Sequence, residues 1–233
     1  MFSILQQADQ ALTLSLNGSP SLYADGVALT ATQTMTWIPL VIVLFYVIVR
    51  NNELYGIGLT VLGVALCILL ADQMSSSVCK PLVARYRPAQ NPQIMYMVDT
   101  VNGYRGGLYG FFSSHAANTM AVSVFLALVA RHRPLTLVLL SWAVLNGWSR
   151  IYLGVHYLGD VLVGFLWGAL VGWGIYWGWR RIMERFLRPR PQSLSQVSSS
   201  NISFAWTPYS ARLLAAAVMA TYIYVAFAGL WRL

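Results

Sequence analysis

Six apolar runs dominate the chain, approximately Val27 to Val49, Tyr55 to Val78, Ala116 to Ala130, Leu135 to Gly154, Val161 to Gly178 and Ala211 to Leu230. Each is long enough, or nearly so, to cross the roughly 30 Å hydrocarbon core of a bilayer, which takes about 20 helical residues. Inside that core every backbone N–H and C=O must bond within its own segment, so such runs fold as helices. The composition agrees, with 58% of the 233 residues hydrophobic and only 9% charged, against about 25% charged in ordinary soluble domains. A soluble globule could not cover its surface with so few solvated side chains, and a disordered chain so apolar could not stay solvated. The fold expected is all-α: a single membrane-embedded domain over residues 1–233, built as a six-transmembrane-helix bundle with a structured extracytoplasmic loop between the second and third helices.

The connections set the orientation. Arg50, Arg131, Arg133, Arg180, Arg181, Arg185, Arg188, Arg190 and Arg212 fall on one side, nine of the 15 basic residues, against six on the side that holds both termini. The positive-inside rule puts the richer side in the cytoplasm. The net charge of +8 is then topology plus attraction to anionic headgroups, and no nucleic-acid partner is expected. His132, between Arg131 and Arg133, belongs to that orientation signal, and the Trp173 to Trp179 run beside Arg180 is assigned to an aromatic belt rather than to lipid recognition. Residues 1–20 place Ile4, Leu5, Ala8, Ala11 and Leu12 at helical spacing, as in an amphipathic helix lying in the interface. Residues 188–205 are Pro- then Ser-rich, a flexible cytoplasmic linker. Gln90 to Phe112 carries Asn102-Gly103 between short mixed runs, a hairpin-like signal. Cys67 and Cys79 have no metal-ligand spacing.

Three segments concentrate polar residues at helix ends on the less basic side. They are Lys80 to Pro88, Phe112-Ser-Ser-His115, and Ser149-Arg150 with His156 and Asp160. Lys80, Arg87 and Arg150 are three cations in one place, and an arginine fork fits phosphate oxygens. His156 and Asp160, four apart at the start of the fifth helix, are expected to share a face, with the carboxylate holding one imidazole nitrogen and the other left free as nucleophile. His115 opens the third helix, where unpaired N–H groups and the helix dipole favour phosphate, and is placed to protonate a leaving oxygen.

The sequences K-x6-R-P, Ser-x-His and S-R-x5-H-x3-D, in this order from Lys80 to Asp160, resemble the type 2 phosphatidic acid phosphatase superfamily, in its bacterial membrane lipid phosphatase branch. One position departs from the pattern: the family's usual Pro-Ser-Gly-His is Phe112-Ser113-Ser114-His115 here, and Ser114 still offers its N–H. The resemblance implies a phosphohistidine on His156, orientation of that ring by Asp160, and His115 as proton donor and then base. It implies Lys80, Arg87, Ser113, Ser114 and Arg150 as the phosphate-binding set, and a reaction with no metal or other cofactor. Tyr104, Arg105 and Tyr109, in the loop, are candidates for touching the headgroup. Asp72, two turns before Lys80, and Asn146, one turn before Arg150, are either near the site or merely structural.

The function expected is hydrolysis of a membrane lipid phosphate or diphosphate at the outer face of a bacterial inner membrane. Undecaprenyl diphosphate, phosphatidylglycerol phosphate, phosphatidic acid and lipid A 1-phosphate are the candidate substrates. A phosphotransferase using the same phosphohistidine is one alternative. A non-enzymatic anion or lipid transporter is another, although transporters hold their sites near the midplane and these motifs sit at helix ends.

Overall fold

The computed structural model describes residues 2–186 and 206–231; the linker expected at 188–205 lies outside them. The described residues are helical, with no strand among them. In chain order the helices are α1 (Phe2–Leu16), α2 (Leu22–Thr32), α3 (Ile38–Asn51), α4 (Leu54–Gln73), α5 (Lys80–Val83), α6 (Ser114–Ala130), α7 (Arg133–Tyr152), α8 (Leu158–Phe186) and α9 (Pro208–Trp231). By length and composition four segments can cross a membrane: Thr34–Asn51, Leu54–Val83, Leu158–Arg185 and Pro208–Trp231.

The first apolar run is not one helix. α2 stops at Thr32, and a 3-10 turn over Thr34–Trp37 precedes α3. Pro39, at the start of α3, has no N–H to continue a helical ladder. Side chains cap the last carbonyls of α2: Thr36 donates to that of Thr30 at 2.7 Å, beside the Gln33 N–H at 3.2 Å, and the Trp37 indole donates to that of Ala31 at 2.9 Å. The second run is longer than expected, because α4 continues through a π-helical segment, Met74–Cys79, into α5. Pro81 follows that segment and breaks the regular i→i−4 pattern.

α6 is the central helix, packed against α8, α7 and α4. Its Ala116, Ala117 and Ala121 are fully buried. Opposite them α8 presents Gly164, Gly168 and Gly172, where a Cβ would come closer than 3.0 Å to the carbonyl oxygens of Ser113, Ala117 and Ala121. This repeated spacing of small residues lets the two backbones touch. The apolar core continues toward the far end through Phe125, Leu126, Val129, Leu135, Leu139 and Leu214, while Ile42, Phe45, Leu166, Leu170, Ile223 and Phe227 face outward.

The connection between α5 and α6 is not a hairpin. Asn102 and Gly103 do adopt left-handed conformations, φ +51° and +68°, yet the flanking runs form 3-10 turns and bends, and the sole described pairing is an isolated bridge between Tyr86 and Tyr109. Side-chain anchors replace the missing ladder: Ser75 donates to the Phe112 carbonyl at 2.6 Å, and Arg105 to that of Ala89 at 3.1 Å.

Candidate active site

The turn after α7 brings Arg150 and His156 together. The N–H groups of Val155 and His156 both return to the Arg150 carbonyl, at 3.1 and 3.2 Å. Gly154 makes this possible at φ +66°, where a Cβ would strike Val98. His156 therefore lies in the turn, two residues ahead of α8, and not on a helical face shared with Asp160. The pair still meets, because the first N–H groups of a helix lack internal partners. Asp160 folds back over them, its Oδ2 accepting from the Tyr157 N–H at 3.1 Å, which leaves the same oxygen 3.6 Å from His156 Nδ1. That separation is a contact rather than a hydrogen bond, and Nδ1 has no other partner among the described residues.

Asp160 is held from its other side by a residue that the sequence motifs leave unassigned. Arg85 donates to Asp160 Oδ1 at 2.8 Å and to Asp9 Oδ2 at 2.6 Å, and its guanidinium lies 3.9 Å from the centroid of the Tyr157 ring. Asp9 is on α1, and its Oδ1 accepts the Gly159 N–H at 2.8 Å, while Thr13 Oγ1 accepts that of Leu158 at 3.0 Å. The polar face of α1 thus caps the N-terminus of α8. An amphipathic pattern such as Ile4, Leu5 and Leu12 marks an apolar side, and says nothing of what the opposite side will grip.

The expected cations surround the His156 ring. Arg87 Nη1 lies 3.3 Å from His156 Nε2 and donates to the Val155 carbonyl at 3.3 Å, while its Nε donates to Tyr109 at 3.1 Å. A donor facing Nε2 assigns the ring proton to Nδ1, on the Asp160 side. Arg150, buried, donates to the hydroxyls of Thr32 and Tyr104, and its Nε has no partner among the described residues. Lys80 reaches Ser76 at 3.1 Å and Ser114 at 3.4 Å. Ser113 is the N-cap of α6, its Oγ accepting from Ala116 and its N–H donating to the Asp160 carbonyl at 3.0 Å. His115 stands exposed on the first turn of α6, within electrostatic range of Arg150, Lys80 and Arg87.

Other expected residues lie around this core. Tyr104 touches the site through Arg150, whereas Arg105 secures the loop and Tyr109 contributes its carbonyl to Arg87, with its ring 5.6 Å from that of Tyr86. Asp72 accepts from Ser76 at 3.3 Å, one step from Lys80. Asn146 donates to Trp142 in its own helix. Gly110 covers the pair closely: a Cβ there would sit 3.2 Å from Asp160 Oδ2 and 3.5 Å from His156 Nδ1.

His156 is 1% exposed. Burial, and then the charges of Arg87, Arg150 and Lys80, hold it well below the usual histidine range, so the ring is neutral with Nε2 carrying the lone pair. Burial followed by the Arg150 charge likewise lowers Arg87, although an arginine stays protonated. Lys80, Arg87 and Arg150 thus disfavour one another's charge, a balance that an anion among them would relieve. Among the described residues no group of three or more His, Cys, Asp or Glu could hold a metal ion.

Comparison with known proteins places the chain in a family. The PAP2 superfamily profile matches residues 58–184. The sequence is 36% identical over 193 residues to the lipid A 4'-phosphatase of Bacteroides thetaiotaomicron, covering 82% of this chain and 85% of that one. It is 34% identical to the lipid A 4'-phosphatase of Porphyromonas gingivalis, covering 86% of each. The crystal structure of a transmembrane PAP2-type phosphatidylglycerolphosphate phosphatase from Bacillus subtilis shares the fold, with a TM-score of 0.57, 24% identity and coverage of 78% of this chain and 89% of that one. The chain belongs to the PAP2 superfamily and is a membrane-bound phosphoric monoester hydrolase.

Proposed function

We propose that the protein hydrolyses a phosphate monoester on a lipid headgroup, passing the phosphoryl group through a phosphohistidine on His156. The observation that carries this is the His156 ring, buried and neutral, with Nδ1 toward Asp160, Nε2 facing Arg87, and the charges of Arg150 and Lys80 within electrostatic reach. Nε2 attacks phosphorus and the bond to the leaving oxygen breaks, with His115 giving that oxygen its proton. Lys80, Arg87, Arg150, Ser114 and the free N–H groups at the start of α6 hold the non-bridging oxygens. Arg87 Nη1, which faces Nε2 in the free enzyme, shifts to a phosphate oxygen as substrate arrives. Water, giving its proton to His115, then attacks phosphorus and breaks the P–N bond. Ser113 serves as the cap that aims these N–H groups.

Among the candidate substrates, the phosphate monoester of a lipid A-type glycolipid is favoured over undecaprenyl diphosphate, phosphatidylglycerol phosphate and phosphatidic acid. Two relatives named for the 4'-phosphate of lipid A align along more than four fifths of the chain. Relatives named for other lipids align over 93 and 115 residues. In this reading α6 and α7 also cross the membrane, making six crossings, and the site faces the outside of a bacterial inner membrane. Phosphate release by the purified enzyme from lipid A and from the other lipids, compared by kcat/KM, tests it. A preference for the lipid A 4'-phosphate of about tenfold or more is expected; a preference for a diphosphate overturns the substrate assignment.

A further inference from the structure

The end of the bundle opposite the active site holds a basic cavity. It lies between the end of α6, the start of α7 and the C-terminal half of α8, about 25 Å from Ser114 along the 17 residues of α6, and has a volume of about 480 Å³. Its walls change character along the bundle axis. Leu128 and Trp173 lie on the deeper side and Trp177 one turn farther out, and Arg131, Arg133 and Arg180 line the outer end. Among the described residues no carboxylate lines it.

Several groups here are fixed in ways that orientation signals and an aromatic belt do not require. Arg131 ends α6 in a left-handed conformation, φ +51°, and donates to the Tyr176 hydroxyl at 3.0 Å. Arg180 lies over the Trp177 ring at 5.5 Å and donates to Glu184 at 2.9 Å. His132 caps α7, its Nδ1 accepting from the Leu135 N–H at 3.3 Å, which puts the ring proton on Nε2 and makes that atom a donor. These cations and donors surround an opening whose inner wall is apolar, with Trp173 55% exposed.

We infer that this cavity is a lipid site distinct from the active site, holding the phosphodiester headgroup of an anionic bilayer phospholipid in the opposite leaflet, with its acyl chains against Leu128 and Trp173. The chemistry matches at both ends. An arginine fork fits the singly charged phosphodiester, basic pockets between helices suit anionic headgroups, and indole rings settle at the boundary between headgroup and chain. A free phosphate ion would use the arginines but leave the apolar wall exposed. A lipid seated there would clamp α6, α7 and α8, the helices whose other ends carry His115, Arg150 and Asp160.

Purified full-length protein in detergent tests this, by native mass spectrometry and thermal shift with phosphatidylglycerol, phosphatidylcholine of the same chains, and inorganic phosphate. Phosphatidylglycerol is expected to bind and raise Tm, and phosphatidylcholine to do much less. R133Q/R180Q should weaken phosphatidylglycerol binding about 30-fold, about fivefold for each arginine, while kcat/KM on a dispersed substrate stays within about twofold. T136W, which fills the cavity and keeps every charge, guards against misfolding of the arginine variant and should weaken binding similarly. H156A should bind phosphatidylglycerol as the wild type does, which separates this site from the active one. Equal binding of the two lipids, unchanged binding in T136W, or a phosphate-induced shift as large as that of phosphatidylglycerol and lost in R133Q/R180Q would overturn the inference. Because kcat/KM is read in the same samples, loss of catalysis would be seen separately.

Discussion

Arg85 and Arg131 both sit just beyond the end of a bundle helix, at opposite ends of the molecule, and they are held by different partners. Arg85 has a 23% exposed side chain and two carboxylates, one of them the fully buried Asp160. Arg131 is exposed and, among the described residues, its side chain donates to one neutral partner, Tyr176. The same contrast separates the groups around them. At the candidate active site, Asp9, Arg85 and Asp160 form a chain of ion pairs that reaches the neutral His156 ring, with Arg87 on its other side, whereas at the far end Arg131 meets a neutral phenol and Arg180 lies over the Trp177 ring and pairs with the half-exposed Glu184. Removing one partner of a buried ion pair leaves an uncompensated charge, at a cost of about 3–5 kcal/mol. Exposed pairs contribute about 0–1 kcal/mol. Arginine is thus an alignment device at one end and an adaptable headgroup contact at the other.

Substitutions should break this contrast in a definite order. H156A removes the proposed nucleophile and should lower phosphate release by at least about 10³-fold, with the protein still folded by circular dichroism. D160N keeps the histidine but loses the charge at Nδ1, and a fall in kcat of about 10²-fold is expected; a wild-type rate would show the carboxylate to be structural only. R85Q acts through Asp160, so kcat should fall about tenfold with KM changed less than threefold, and D9N should show the same pattern at smaller amplitude. A change confined to KM would remove Arg85 from the alignment of the pair. The smallest effect is expected at R133Q, whose kcat/KM should stay within about twofold.

The buried histidine also predicts a pH dependence of stability. Its folded pKa is lowered well below the 6.5 of an unfolded chain, so the unfolded state binds the extra proton first. The stability from this group is complete above pH 6.5 and is lost as pH falls below it. Thermal unfolding should show a Tm that declines below pH 6.5, with a shallower decline in H156N. Parallel slopes for the two proteins would mean that the ring is not shielded as the structure has it.

The helical class, the outlines of α4, α6, α8 and α9, and the grouping of Lys80, Arg87, His115, Arg150, His156 and Asp160 at one end were legible in the sequence, because membrane length and motif spacing both act locally. What was not legible depended on contacts distant in the chain. Asp9 and Thr13 cap a helix that begins near residue 158, and nothing in the local pattern of α1 pairs it with Arg85. Pro39 was a visible sign of the break before α3, obscured by the continuous hydropathy around it. The Asn102-Gly103 turn formed as its residues dictate, but a hairpin also needs two strands able to pair, and the connection is anchored instead by Ser75 at the Phe112 carbonyl and by Arg105 at that of Ala89. The Gly164, Gly168 and Gly172 spacing could have announced the close α6–α8 packing.

The central claim, that His156 carries the phosphoryl group, is tested most directly by rapid chemical quench with a ³²P-labelled lipid phosphate monoester, followed by isolation of the protein in base. The account predicts protein-bound label that survives alkali, is released by acid, approaches one per active site when breakdown is slowed, and is absent from H156A. Label carried equally by H156A, or phosphate released with no labelled protein at any time while D160N and R85Q turn over normally, would contradict it.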